Sequence, residues 1–189
     1  MEKEEAWIER AKAGDKEAFA RLVEAYQVAV YNLTYRMLGN AAEAEDAAQE
    51  TFLRAYRRLS TFKPEKKFST WLLSIASHYC IDQLRRRRFT WLSLEEMPPW
   101  QELSGARPHP EEEALRQETC EEVHALLEKL PSPYRAVAIL RYWYELSYEE
   151  IAEIMDTTES AIKSRLYRAR RMLASSARDR GERNYGREG

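Results

Sequence analysis

The stretch from Ser147 to Leu173, SYEEIAEIMDTTESAIKSRLYRARRML, leaves this chain few ways to fold. Ser147 with Glu150 three residues on spells a capping box, in which the hydroxyl accepts one orphan backbone amide and the carboxylate another. Ile151, Ile154 and Met155 then recur at helical spacing, so one face is apolar. Asp156, Thr157 and Thr158 carry short hydrogen-bonding side chains that compete with helical backbone and favour caps and turns. A second helix follows. At about 100° per residue, Ile162, Leu166, Ala169 and Leu173 share its inner face, with Ser160, Ser164, Arg168 and Arg171 opposite and Lys163 and Arg165 on the flanks. Two helices joined by a polar turn predict a helix-turn-helix.

The outer face of the second helix is small at its start and cationic towards its end. A DNA major groove suits such a surface, because small residues let the helix approach base edges while arginines reach phosphate or guanine. A basic run by itself reads as a solvated surface. Capping box, turn and opposed faces together favour DNA.

A formal net charge of -2 over 189 residues argues against a polyanion partner only if the charge is evenly spread. It is segregated: residues 51–88 hold 10 basic and 2 acidic side chains, and residues 89–122 hold 2 basic and 9 acidic. Polyanion binding depends on such local clusters rather than on the sum. Cys80 and Cys120 form no CxxC and no metal-ligand spacing with His78, His109 or His124, so a cofactor-free, metal-free protein with buried thiols is expected. The charged N-terminus is not a signal peptide, and no apolar run approaches the length of a membrane span, so a soluble, cytoplasmic protein without membrane insertion of its own is expected.

Read in order, the chain predicts an all-α protein of two small helical domains. A short helix over Glu4–Ala13 ends near Gly14, and a longer one runs from Lys16 to Leu38 with Gly39 as its left-handed cap. Asn40 with Glu43 opens a helix that is acidic first and basic last, which already suits the helix dipole. Its polar face around Glu45, Asp46, Gln49 and Glu50 alternatively offers a docking surface for a protein. In STFKPEKKF, Pro64 excludes helix at Lys63, and Phe62 and Phe68 alternate with Lys63, Lys66 and Lys67. Aromatic rings among cations suit single-stranded nucleic acid, whose bases stack and whose backbone needs neutralising; a plain connector is the other reading. The next helix starts at a Ser69 or Thr70 cap and ends in Arg85 to Arg88. Within it Trp71 fits core packing, the commoner role, or base contact. Residues 1–88 are thus one domain and 89–116 an acidic, proline-containing linker able to span roughly 90 Å when extended. Residues 117–175 form the second domain, in which Val137, Leu140 and Tyr144 cover the helix-turn-helix, and 176–189 form a fraying tail.

AEAEDAAQETFLRAYRRLSTF, then KFSTWLLSIASHYCIDQLRRR, a variable linker, and LPSPYRAVAILRYWYELSYEEIAEIMDTTESAIKSRLYRARRML resemble the bacterial sigma factors of the extracytoplasmic-function group, most closely the sigma-W-like members from bacilli. The resemblance implies two helical domains, regions two and four, that guide core RNA polymerase to promoters. It implies docking of the Glu43–Leu59 helix on the clamp helices of the largest polymerase subunit, through Glu45, Asp46, Gln49, Glu50, Leu53 and Arg54. It implies capture of the melted minus-ten strand by Phe62, Lys63, Lys66, Lys67, Phe68, Trp71, His78, Arg85 and Arg86. Duplex minus-thirty-five DNA falls to Ser160, Ala161, Lys163, Ser164, Arg165, Arg168 and Arg171. The linker would thread towards the polymerase active-site channel. The family's short first region implies that no N-terminal autoinhibitory domain is to be expected, and that control falls to an anti-sigma factor held at the membrane. Because the loop offers few aromatics, weak melting and a strict promoter demand are expected.

A stand-alone helix-turn-helix regulator is the alternative, but it requires a dimer interface or effector pocket where this chain has a basic, aromatic-loop domain. A nucleic-acid enzyme lacks support: no carboxylate pair near a His and no Gly-rich phosphate loop is found.

Overall fold

The computed structural model describes residues 2–93 and 122–185, with side chains over 3–87 and 122–175. Helices α1 (Glu2–Lys12), α2 (Lys16–Leu38), α3 (Ala41–Arg58) and α4 (Phe68–Ser93) make the first half, with a 3-10 turn at Leu59–Thr61. A helical segment over 122–128 (α5), then α6 (Ser132–Tyr142), α7 (Tyr148–Ile154) and α8 (Glu159–Tyr185), make the second. No strand occurs among the described residues. The architecture is all-α, as expected. Most of the linker, residues 94–116, lies outside the described residues, as do the start of the helix expected from Glu113 and residues 186–189.

The caps explain the boundaries. Asp15 opens α2 by accepting from Glu17 N and Ala18 N, and Gly39 closes it at φ 75° with its amide donating to Tyr35 O. That left-handed conformation costs glycine no Cβ clash. Asn40 caps α3 by accepting from Glu43 N at 3.1 Å. Three boundaries differ from expectation. Helix α4 begins at Phe68, one residue before the Ser69 or Thr70 cap. It also runs past Arg88 to Ser93, because no proline intervenes before Pro98. Helix α8 continues to Tyr185 instead of fraying after Leu173, since Gly181 is the first glycine or proline it meets.

Helix α2 is the axis of the first half, packed by α1, α3 and α4. Leu22, Val30, Leu33 and Met37 bury its stripe, and Thr34 Oγ1 donates to Ala44 O at 2.9 Å, tying α2 to α3. In the second half, Val137, Ile139 and Leu140 of α6 are fully buried and cover Ile151, Ile154 and Ile162 of the helix-turn-helix. Tyr144 does not share this task. It lies beyond the end of α6, and its hydroxyl donates to Ala29 O of α2.

The capping box predicted from sequence is present in full: Ser147 Oγ accepts from Glu150 N at 3.1 Å and Glu150 Oε2 accepts from Ser147 N at 2.9 Å. Asp156 takes φ 47° in the turn to α8, a left-handed conformation that aspartate tolerates better than most residues. Ser147→Ala should therefore cost about 1 kcal/mol of stability, read as a lower urea midpoint at unchanged slope.

Candidate nucleic-acid interface

Thr158 Oγ1 accepts from Ala161 N at 3.2 Å and so sets the start of α8. Packing of Ile162, Leu166 and Ala169 inward turns Ser160, Lys163, Ser164, Arg168 and Arg171 to solvent, with Ala161 and Arg165 half-buried. Neighbours pre-position the cations: Lys163 pairs with Glu159 at 3.3 Å, and Arg168 Nη1 donates to Tyr134 Oη at 3.4 Å. Arg171 lies 5.9 Å from the centroid of the Tyr167 ring. Tyr167 itself is 62% exposed and was not singled out from the sequence. The 100° arithmetic places it between Lys163 and Arg171, on the Lys163 side of the outer face.

The loop after α3 is built differently from expectation. Phe62 and Phe68 are buried, at 5% and 3% exposure, and form a ring cluster with half-buried Trp71 at centroid separations of 5.3 to 5.6 Å. Lys12 Nζ sits 5.6 Å from the Phe62 centroid. Two exposed stacking platforms are therefore absent in this arrangement, because both rings serve to seat the loop on the first half. Lys63, Lys66 and Lys67 remain exposed, on a turn closed by Lys66 N donating to Lys63 O at 3.0 Å. Along α4, Trp71, His78 and Arg85 recur every seven residues and share one stripe, with Arg86 beside it. The cationic character expected here is present, and its aromatic part is reduced to Trp71.

Two lysines of this loop meet the second half. Lys66 Nζ lies 2.6 Å from Glu153 Oε1, and Lys67 Nζ lies 2.7 Å from Glu150 Oε1. The Lys67 hydrogen bond, followed by the Ser147 amide, holds the Glu150 carboxyl below its ordinary 4.5. Contact and cap are thus intact above the ordinary glutamate range and are lost as pH falls below it.

On α3, Glu45, Asp46, Gln49 and Leu53 are exposed, while Glu50 and Arg54 pair with each other at 2.7 Å. Arg54 also stacks 4.7 Å from the Tyr79 centroid, so it braces α3 on α4. Glu45 and Gln49 line an apolar groove of about 420 Å³ with Val23, Val28 and Tyr31 of α2 and Phe52 of α3. Asp46 faces the other flank, near Tyr79 and Arg87. The α2 wall, with Val28 66% exposed, was missed because a single exposed valine in a helical pattern carries no signal of its own. Burial pushes the Cys80 thiol up to about 12, which leaves it unreactive. No acidic, His or Cys cluster able to hold a metal occurs among the described residues, and no described helix is long and apolar enough to cross a membrane.

Sigma-70 region 2 matches residues 22–90 and sigma-70 region 4 matches residues 120–173. The chain is 37% identical to the ECF RNA polymerase sigma factor SigW of Bacillus subtilis, over 91% of this chain and 95% of that protein. It is 34% identical to the RNA polymerase sigma-H factor of Pseudomonas aeruginosa, over 92% and 93%. In fold it is similar to CnrH, solved in complex with the cytosolic domain of CnrY, with a TM-score of 0.69 at 24% identity over 94% of this chain and 98% of that one. The sigma factor RpoE of Bartonella quintana, solved with the anti-sigma factor NepR, matches with a TM-score of 0.64 at 22% identity over 83% and 94%. Two DNA-directed halves in this order, matched along nearly the whole chain, make it an extracytoplasmic-function RNA polymerase sigma factor of the sigma-70 family.

Proposed function

We propose that this sigma factor holds core RNA polymerase through the α2–α3 groove and reads two promoter elements, one with each half. The observation that carries the reading is the outer face of α8, small at Ser160 and Ser164 and cationic at Lys163, Arg168 and Arg171, supported on a buried inner stripe. That face takes duplex minus-thirty-five DNA. The lysines of the loop at 63–67, with Trp71, His78, Arg85 and Arg86 of α4, take the melted minus-ten strand. Glu45, Gln49 and Leu53, with Val28, take the polymerase clamp. Asp46 and Glu50 sit at the rim of that contact, while Arg54 braces α3 from behind. The chain acts by binding, without catalysis or cofactor, in the cytoplasm. Its control by a membrane-held anti-sigma factor at stress-response promoters is proposed on family membership.

Run-off transcription with purified core polymerase tests the whole: promoter-specific product should appear only when the chain is added. Its absence on every cognate template would overturn the reading, whereas tight duplex binding by the free chain would favour a stand-alone regulator. Within α8, Arg168→Ala or Arg171→Ala should weaken minus-thirty-five binding by about 1–3 kcal/mol if the lost contact is a positioned base contact. Electrophoretic mobility of the holoenzyme on upstream duplex DNA measures it, and unchanged affinity for both variants would refute this facing of the helix.

A further inference from the structure

The loop lysines proposed to meet melted DNA are, in the free chain, already occupied by glutamates of the other half. Lys66 and Lys67 pair with Glu153 and Glu150 of α7, the helix that precedes the minus-thirty-five reader α8 in the helix-turn-helix. Two deeper contacts hold the halves in the same relation: Tyr144 Oη donates to Ala29 O, and Arg135 Nη1 donates to Met37 O at 2.6 Å. By contrast, the polymerase-facing Glu45, Gln49, Val28 and Leu53 stay exposed, as does the outer face of α8. Closure therefore pairs two lysines of the loop with carboxylates while leaving those other faces, among the described residues, without a partner from the opposite half.

This arrangement cannot persist on a promoter. The two elements lie about 25 base pairs apart by their names, which at ~3.4 Å per pair is about 85 Å along the duplex. A loop within ion-pair distance of α7 cannot reach one element while α8 occupies the other. The linker, able to span roughly 90 Å, is long enough for the halves to part.

We propose that Glu150 and Glu153 form an autoinhibitory latch, an internal stand-in for DNA phosphate that keeps the minus-ten loop closed until the halves separate. The proposal rests on the reading of that loop as the single-strand contact. Carboxylates occupy the lysines as phosphate would, so the competition is direct and both sides weaken with added salt. Glu150 serves two roles through different oxygens, Oε1 to Lys67 and Oε2 to the Ser147 amide. Glutamine preserves the second role and removes the charge needed for the first.

The test uses the full-length chain without polymerase, a fluorescent oligo-deoxythymidine as probe, and small-angle scattering for compaction. The double variant Glu150→Gln, Glu153→Gln should bind the oligonucleotide about 2- to 10-fold more tightly, the range that two half-exposed pairs can supply. Its radius of gyration should also rise. Adding Lys66→Gln and Lys67→Gln to that background should abolish the gain. Equal oligonucleotide affinity in the unmodified chain and the glutamine variant, including no binding by either, overturns the latch. If the glutamine variant gains affinity but the lysine changes leave the gain intact, the loop is not the single-strand contact, and that reading fails instead.

Discussion

Phe62→Ala is expected to lower the stability of the first half by about 3–5 kcal/mol, the cost of emptying a buried aromatic site. Phe62 is 5% exposed, edge-on to Phe68 at 5.4 Å and tilted against Trp71 at 5.3 Å, with Lys12 of α1 over its ring. Its removal leaves a void between α1, the loop and the start of α4, and Lys12, the flexible side chain over the ring, is cationic and poorly suited to filling an apolar site. Urea unfolding should show a clearly lower midpoint, and Phe62→Leu, which refills most of the volume, should recover much of the loss. A stacking role without a packing role makes the opposite forecast: unchanged stability with impaired open-complex formation. An unaltered urea midpoint in Phe62→Ala would therefore restore the single-strand role to this ring.

The burial of Phe62 could not be read from the sequence, for a physical reason. Nine residues with a proline have no periodicity, so alternation of rings with lysines cannot say which of them points inward. In the fold, the rings turn in because each buries an aromatic surface that solvent would otherwise meet, while the lysine heads stay in water. Where periodicity did exist the sequence was legible. Gly39, Asn40 and the Ser147–Glu150 box mark boundaries found in the structure, and the inner stripe of α8 is buried as its spacing requires. Tyr167 was legible by the same arithmetic but belongs to no charge pattern. What could not be read was the relation between the halves. Lys66 and Glu153 are distant along the chain, and nothing local in either segment names the other.

Arg135 is where that relation is anchored, and Arg135→Ala should cost on the order of 3 kcal/mol or more. The guanidinium is buried at 7% exposure and donates to Met37 O at 2.6 Å and Glu128 O at 3.0 Å. Both carbonyls close helices, α2 and α5, and have no partner within their own helix. A cation between two helix C-termini answers both orphan acceptors and both dipoles. Each hydrogen bond from a charged donor is worth about 1.5–3 kcal/mol, and the two are not fully additive because one group makes both. The guanidinium is itself costly to bury, and desolvation pulls its pKa down. Buried placement is tolerable only while both carbonyls are present, so its anchoring depends on closure. Since Met37 belongs to the first half and Arg135 to the second, alanine should also split unfolding into two steps, seen as non-coincident urea transitions of the two halves. Lysine would keep the charge but cannot reach both carbonyls with one fork, so Arg135→Lys should also lose stability. Should Arg135→Ala unfold in one transition at the original midpoint, the two halves would have to be held together by other contacts, and the closed arrangement would owe nothing to this arginine.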